Sequence, residues 1–409
     1  MEKYYLVCEK CGARYSQSEA VYRCRCTGRL EVMINLDTVH ASKNEVFGRK
    51  GNILDKYFEF LPLLQKPTRT LGEGFTPLIN APRLAEKVGL KNLYLKNETV
   101  NPTGSFKDRP IVVGANKALE FGAEVMASAS SGNAATSLAA WCARYGIECV
   151  TFVPVDAPRE KLAQLQMLGA KVYRVRARDE HKDPTAEMLQ KCVEKYHWHA
   201  VPSFGTFNPY QIEGAKSLGY EIAEELRADH VVVPVGGAGL LLGTLKAYAE
   251  FHELGWIDDE PGIHAVQAEG CAPLVRAWKA RREIEPWANP KTVAGGIADP
   301  YTWDGNAALK RMEKNGGTAV TVSDAQILEA QKLLARYAGI FAEPTGSASL
   351  AGIIALRDAG VIGHGETVAC LVTGTGFKDI NAVTRNAPEV PVIDVDADLV
   401  GKISYNPTI

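Results

Sequence analysis

Apolar positions along the chain fall into two alternating series. Between about Ile111 and Pro202, β-branched and apolar runs at 125–128, 148–153 and 171–175 read as strands, and residues 134–145, 158–168 and 184–196 read as helices. Helix and strand alternating through short connections are the sign of a parallel sheet covered on both faces. A second series runs from Phe204 to Gly376, with helices near 214–226, 240–254 and 324–339 and strands at 231–235, 263–269 and 367–372. Ahead of both, residues 81–88 read as a short helix and 92–97 as a strand. Residues 36–71 are irregular, with the aromatic and proline content of a segment draped over a larger domain. There is no repeat, low-complexity tract or long linker, and the tail after about Ala382 carries no functional pattern.

Length and composition place this pattern in an ordinary globular protein. The 409 residues suffice for a large core divided into two or more domains, and 46% hydrophobic with 23% charged residues is a soluble composition. A net charge of -2 gives no electrostatic case for nucleic acid or an anionic membrane. No apolar run approaches the roughly 18 residues of a membrane span, and the first five residues lack a signal-peptide core, so a cytoplasmic location is expected. Nine cysteines, an odd number, argue for free thiols and metal ligands over a disulfide framework. Cys8, Cys11, Cys24 and Cys26 form a Cys-x2-Cys and a Cys-x-Cys pair, and short spacing lets thiolates converge on tetrahedral zinc. A knuckle without metal is the alternative.

The candidate chemistry centres on Asn101-Pro102-Thr103-Gly104-Ser105-Phe106-Lys107-Asp108-Arg109, between the strand 92–97 and a helical pattern from Pro110. A lysine at such a strand-to-helix junction faces a cleft, and if desolvated there its amine can condense with an aldehyde. A solvated lysine in a polar turn is the plainer alternative. Three further stretches end short strands and open toward a helix or turn: Ser130-Ser131-Gly132-Asn133, Gly236-Gly237-Ala238-Gly239 and Thr373-Gly374-Thr375-Gly376. Side-chain-free N–H groups of the second can point at a phosphate on the positive end of a helix. Close strand-to-helix packing would also need such glycines, and Asn133 also suits a helix cap.

In this order the four stretches resemble the fold-type II pyridoxal-phosphate enzymes, and the wording around Lys107 looks most like threonine synthase. The resemblance runs from about Gly72 to Lys378. It implies an α/β protein of two doubly wound open-sheet domains: a large cofactor-binding domain from 37–110 and 203–385, a small mobile domain at 111–202, a zinc-ribbon-like segment at 1–36 and a tail at 386–409. It also implies that Lys107 forms the imine with pyridoxal 5′-phosphate and then serves as base. Gly236, Gly237, Ala238, Gly239 and Leu240 would form the phosphate loop, with Asn133 at the 3′-hydroxyl and Thr373 at the pyridine nitrogen. Ser130, Ser131 and Gly132 would receive the substrate carboxylate. Glu343-Pro344-Thr345-Gly346-Ser347 is expected to line the same cleft, in wording closer to the serine/threonine dehydratases.

The match weakens where threonine synthases hold the substrate's own phosphate. The matching positions here are Ala134, Thr206, Gln211 and Leu240, and only one keeps a comparable donor. A neutral amide cannot replace the charge of the family's arginine, so another cation such as Lys216 must serve or the substrate differs. The expected activity is elimination or replacement at Cβ or Cγ of a small amino acid, nominally O-phosphohomoserine with water to threonine and phosphate. A β-eliminating dehydratase, ammonia-lyase or β-replacement enzyme is the alternative, and a non-catalytic cofactor- or zinc-binding protein a more distant one. The family resemblance implies a homodimer.

Overall fold

The computed structural model describes residues 1–176, 183–384 and 390–395; of the tail expected at 386–409, the remainder lies outside the described residues. The described residues form thirteen strands: β1 Tyr4–Cys8, β2 Arg14–Ser16, β3 Leu30–Ile34, β4 Leu78–Asn80, β5 Asn92–Asn97, β6 Val125–Ala129, β7 Glu148–Pro154, β8 Lys171–Val175, β9 His199–Ala200, β10 His230–Pro234, β11 Gly262–Ala268, β12 Ala319–Val322 and β13 Thr367–Val372. They form three sheets. The largest runs β12-β11-β10-β13-β5-β4, the second β8-β7-β6-β9, and the amino-terminal ribbon β2-β1-β3. All pairings in the two larger sheets are parallel except β4 against β5.

Strands buried on both faces explain the continuous apolar runs in the sequence. In the six-stranded sheet, Val232, Val266, Val368 and Cys370 pack against the helices Pro82–Lys87, Asp324–Ala338 and Pro344–Asp358. Their neighbours Val231, Val233, Ile263, Ala369 and Leu371 face the other way, onto the helices Tyr210–Glu225, Gly239–Glu253, Pro273–Ala280 and Gly305–Asn315. The four-stranded sheet is covered in the same manner: Met126, Cys149 and Val153 lie under the helix Asn133–Tyr145, and Ala127, Val150 and Phe152 under Pro184–Tyr196. Between the sheets runs the helix Asp108–Glu120, in contact with both Tyr210–Glu225 and Asn133–Tyr145.

One expectation changes. Residues 36–71 are not merely draped over the surface, because Ile53, Leu54, Tyr57, Phe60, Leu61 and Leu63 are fully buried. Tyr57 and Phe60 enter an aromatic cluster with Tyr220, Phe251 and Trp256, and that burial fixes a segment with little regular structure. The ribbon, in turn, has more support than its own small core. Tyr4, Leu6, Leu30 and Val32 pack with Tyr210 of the neighbouring helix, and Tyr22 meets Tyr210 and Phe121 edge to face. Among the described residues no helix is long and apolar enough to cross a membrane.

Candidate active site

The Lys107 stretch is held rigidly by its own residues. Gly104 adopts φ +77°, and a Cβ there would meet Thr375 Cγ2 at 2.7 Å. Phe106 N donates to Thr373 O at 3.0 Å and Thr375 N to Gly104 O at 2.9 Å, so this loop and the turn after β13 are laced together. Asp108 accepts from Thr103 and Ser137 hydroxyls at 2.7 and 2.6 Å. Arg109 is fully buried between Glu98 and Glu221. With the next two residues anchored inward, Lys107 is left facing the cleft.

There Lys107 Nζ donates to Ser203 Oγ at 2.5 Å. Burial pulls the ammonium down to about 8, against the opposing pull of Asp299, Asp304 and Glu343. Ser203 has the left-handed φ of +72°, and its N–H donates to Gln211 Oε1 at 3.0 Å.

A cleft of about 320 Å³ opens around this lysine, at the small end of the roughly 300–1,000 Å³ usual for ligand sites. Its walls come from the carboxyl ends of strands in both sheets, where open α/β sheets bind ligands. They include Ser130, Ser131, Gly132, Asn133 and Ala134 after β6, Gly237 after β10, and Thr373 after β13. At Gly236 a Cβ would stand 2.7 Å from Gly296 O, and at Gly237 2.8 Å from the Phe204 ring, so side chains there would crowd the turn. The first N–H groups of the helix Gly239–Glu253 lack intrahelical partners.

Glu343 and Thr345 also line the cleft, as expected for their motif. Glu343 accepts from Asn133 Nδ2 at 2.8 Å, and its burial raises its carboxyl to about 7. Asp299, raised by burial to about 6, faces the same space. Thr373 is buried and its hydroxyl has no hydrogen-bond partner.

Other expected residues stand elsewhere. Thr206 does not line the cleft; its hydroxyl donates to Trp303 O at 3.0 Å. Gln211 is fully buried behind Ser203 and holds its backbone. Leu240 packs into the core beneath the six-stranded sheet, so only its backbone is available to a ligand. Lys216 cannot serve as the missing cation, because it is fully buried and paired with Glu213 and Glu250 at 2.6 and 2.8 Å. Its helix runs through the interior between two others, which a motif alignment cannot reveal. Among the described residues, the cations that do line the cleft beside Lys107 are Lys161 and Lys378. Neither carries a motif, and Ser203 and Asp299 were equally silent, although Gly295-Gly296 just before Asp299 was a turn signal.

In the ribbon the four cysteine sulfurs lie within 4.8 Å of one another. Cys8 stands 3.5 Å from Cys26, and Cys11 3.6 Å from Cys24. Tetrahedral zinc with Zn–S bonds of about 2.3 Å places sulfurs about 3.8 Å apart. A Cβ on Gly28 would come within 2.6 Å of Cys8 Sγ, so the knuckle closes only over glycine.

The cleft fits pyridoxal phosphate in its donor chemistry: a desolvated amine, a crowded glycine turn at a helix start, and an orphaned buried hydroxyl. The comparisons agree. A family model described as pyridoxal-phosphate dependent enzyme matches residues 69–374. The chain is 40% identical over 403 residues to a threonine synthase of Methanosarcina acetivorans, covering 97% of this chain and 98% of the relative. A threonine synthase of Methanocaldococcus jannaschii is 38% identical over the same shares. Among solved structures, a threonine deaminase from T.th. superposes with TM-score 0.62 at 27% identity, covering 77% of this chain and 94% of that one. A processed threonine deaminase isoform 2 from Solanum lycopersicum superposes at 0.65 with 24% identity over 76% and 82%, a likeness of fold alone. Similarity to threonine synthases over nearly the whole length, and not only over the shared fold, does not favour the dehydratase and binding-protein alternatives. The chain therefore belongs to the pyridoxal-phosphate dependent enzymes, as a threonine synthase-like lyase of fold type II.

Proposed function

We propose that Lys107 is the amine that holds pyridoxal phosphate, with the turn at 236–239 as phosphate cradle, Asn133 at the 3′-hydroxyl and Thr373 at the pyridine nitrogen. The reaction is elimination and replacement on a small amino acid bearing a phosphate leaving group, nominally O-phosphohomoserine and water to threonine and phosphate. The observation that carries the reading is the lysine held down at about 8 in one cleft with the glycine turn and an unpartnered threonine hydroxyl.

When bound, the cofactor draws electrons away from the substrate's Cα. Lys107, kept near Ser203, would be the base that takes the substrate's Cα proton once its amine is free. Thr373 offers a neutral hydroxyl in place of a carboxylate, so the ring nitrogen is not forced to stay protonated, which favours elimination over transamination. Glu343 fixes the Asn133 amide. Backbone N–H groups at 130–134, at the start of the helix Asn133–Tyr145, receive the substrate carboxylate.

Among the described residues, Lys161 and Lys378 are the cleft-lining cations besides Lys107 that are available to the substrate's phosphate in place of the absent arginine. Both lower the Glu343 carboxyl, so their charges reach the cleft interior. Purified enzyme should release inorganic phosphate and form threonine from O-phosphohomoserine, and Lys161→Gln should raise KM several-fold more than it lowers kcat. Keto acid from serine or threonine without phosphate release would refute the substrate.

Zinc on Cys8, Cys11, Cys24 and Cys26 belongs to the same proposal, supported by the sulfur spacing and by the closure over Gly28. Metal analysis of the purified protein at one zinc per chain tests it. The homodimer and the cytoplasmic location rest on the family resemblance and the composition.

A further inference from the structure

Beneath the glycine turn lies a carboxylate that the reaction does not use. Asp304, 1% exposed, joins three parts of the chain. Its N–H donates to Gly237 O at 2.9 Å, inside the turn. Its Oδ2 accepts from Gly205 N at 2.8 Å, holding the loop that carries Ser203 and Phe204. Its Oδ1 accepts from Arg29 Nε at 2.8 Å, and Arg29 comes from the ribbon.

Asp304 Oδ2 also stands 3.5 Å from where a Cβ on Gly239 would lie. A buried carboxylate so close to a turn that must take a phosphate dianion repels it unless neutralised, and low-dielectric surroundings sharpen the repulsion. Arg29 is the cation in contact. Its position is set by the cysteine knuckle, since it directly follows Gly28 and its carbonyl accepts from Glu9 N at 3.1 Å, next to Cys8. Its Nη1 also donates to Glu9 Oε1 at 2.5 Å.

We propose that Arg29 is a positioning residue that makes the ribbon part of the active site: by neutralising Asp304 it lets the turn at 236–239 accept the cofactor's phosphate. This rests on the reading of that turn as the cradle. It gives the ribbon a role in cofactor affinity, whether or not zinc is what shapes the knuckle.

The test compares dissociation constants for pyridoxal phosphate and for pyridoxal, which lacks the phosphate, by absorbance titration of the full-length apoenzyme. The parent should prefer the phosphorylated form strongly, and Arg29→Met should shrink that preference at least about tenfold. Adding Asp304→Asn, which keeps an oxygen for Gly205 N and removes the charge, should restore it to within about threefold of the parent. If Arg29→Met does not fold, the neutral and more polar Arg29→Gln with and without Asp304→Asn carries the comparison, and the preference must fall and recover in the same order. A lower melting temperature with the preference unmoved would make Arg29 a structural staple and overturn the proposal, as would a double variant that stays as weak as the single one. A parent with no preference for the phosphate would instead overturn the cradle itself.

Discussion

Lys107 and Ser203 meet across the cleft at 2.5 Å although 96 positions separate them in the chain. Ser203 is held for this contact in left-handed backbone by the buried Gln211 amide. Removing the amine and removing its partner should therefore differ in kind. Lys107→Ala should lose the visible absorbance of the bound cofactor and reduce turnover by about 100- to 10,000-fold or more. Ser203→Ala should keep the absorbance and lose about tenfold in kcat, since only orientation is lost. Equal turnover by Lys107→Ala and the parent would refute the central assignment.

The depressed ammonium predicts how the apoenzyme takes up its cofactor. Only the unprotonated amine attacks the aldehyde, and burial places its titration at about 8. Stopped-flow association should accelerate about tenfold per pH unit below that value and level off above it. A rate that keeps climbing to the ordinary lysine range would mean that the amine is fully solvated.

Glu343 predicts a pH dependence of stability. Its folded carboxyl titrates at about 7 because burial disfavours the charge, whereas an unfolded glutamate titrates near 4.3. The folded state thus binds more protons between these values, and this group's contribution falls as pH rises through that window. Glu343→Gln has no such proton to lose. Relative to the parent apoenzyme, it should gain on the order of 1–3 kcal/mol in unfolding free energy between about pH 4.5 and 7.5. A difference independent of pH would show that the carboxyl titrates normally.

The sequence was most legible where backbone chemistry alone defines a feature. Strand, glycine turn and helix at 230–253, or strand, serine-glycine turn and helix at 125–145, announce themselves through β-branched runs and small residues, and the structure has them within a residue or so of expectation. The helix Pro344–Asp358 was visible only as a cleft motif, because Pro344, Thr345, Gly346 and Ser347 imitate a turn while the structure places all four in its first two turns. Side-chain direction was not legible. Gln211 and Lys216 lie on one helix that the core surrounds, so residues polar enough for a binding site serve instead as internal supports. Lys161, Lys378 and Asp304 reach the site by tertiary placement, which no local pattern encodes.

The rigidity of the Lys107 loop depends on the arginine two positions later. Arg109 is fully buried, and Nε and Nη2 donate to Glu98 at 2.7 and 3.0 Å while Nη1 and Nη2 donate to Glu221, both at 2.7 Å. Ser217 and Thr76 accept from Nη1 and Nη2 at 3.0 and 3.1 Å. Burial raises the Glu221 carboxyl, but Arg109 and Lys96 more than offset that and hold it at about 2. Arg109→Met would keep most of the volume and leave two buried carboxylates, with Lys96 the remaining cation on Glu221 at 2.8 Å. Breaking a buried pair in this way destabilises by about 3–5 kcal/mol. Denaturant unfolding of Arg109→Met should show a loss of that size near neutral pH. The loss should shrink as the pH falls toward about 4, where the stranded carboxylates take up protons. A loss below about 1 kcal/mol would mean that the network is solvated, since exposed pairs contribute no more than that.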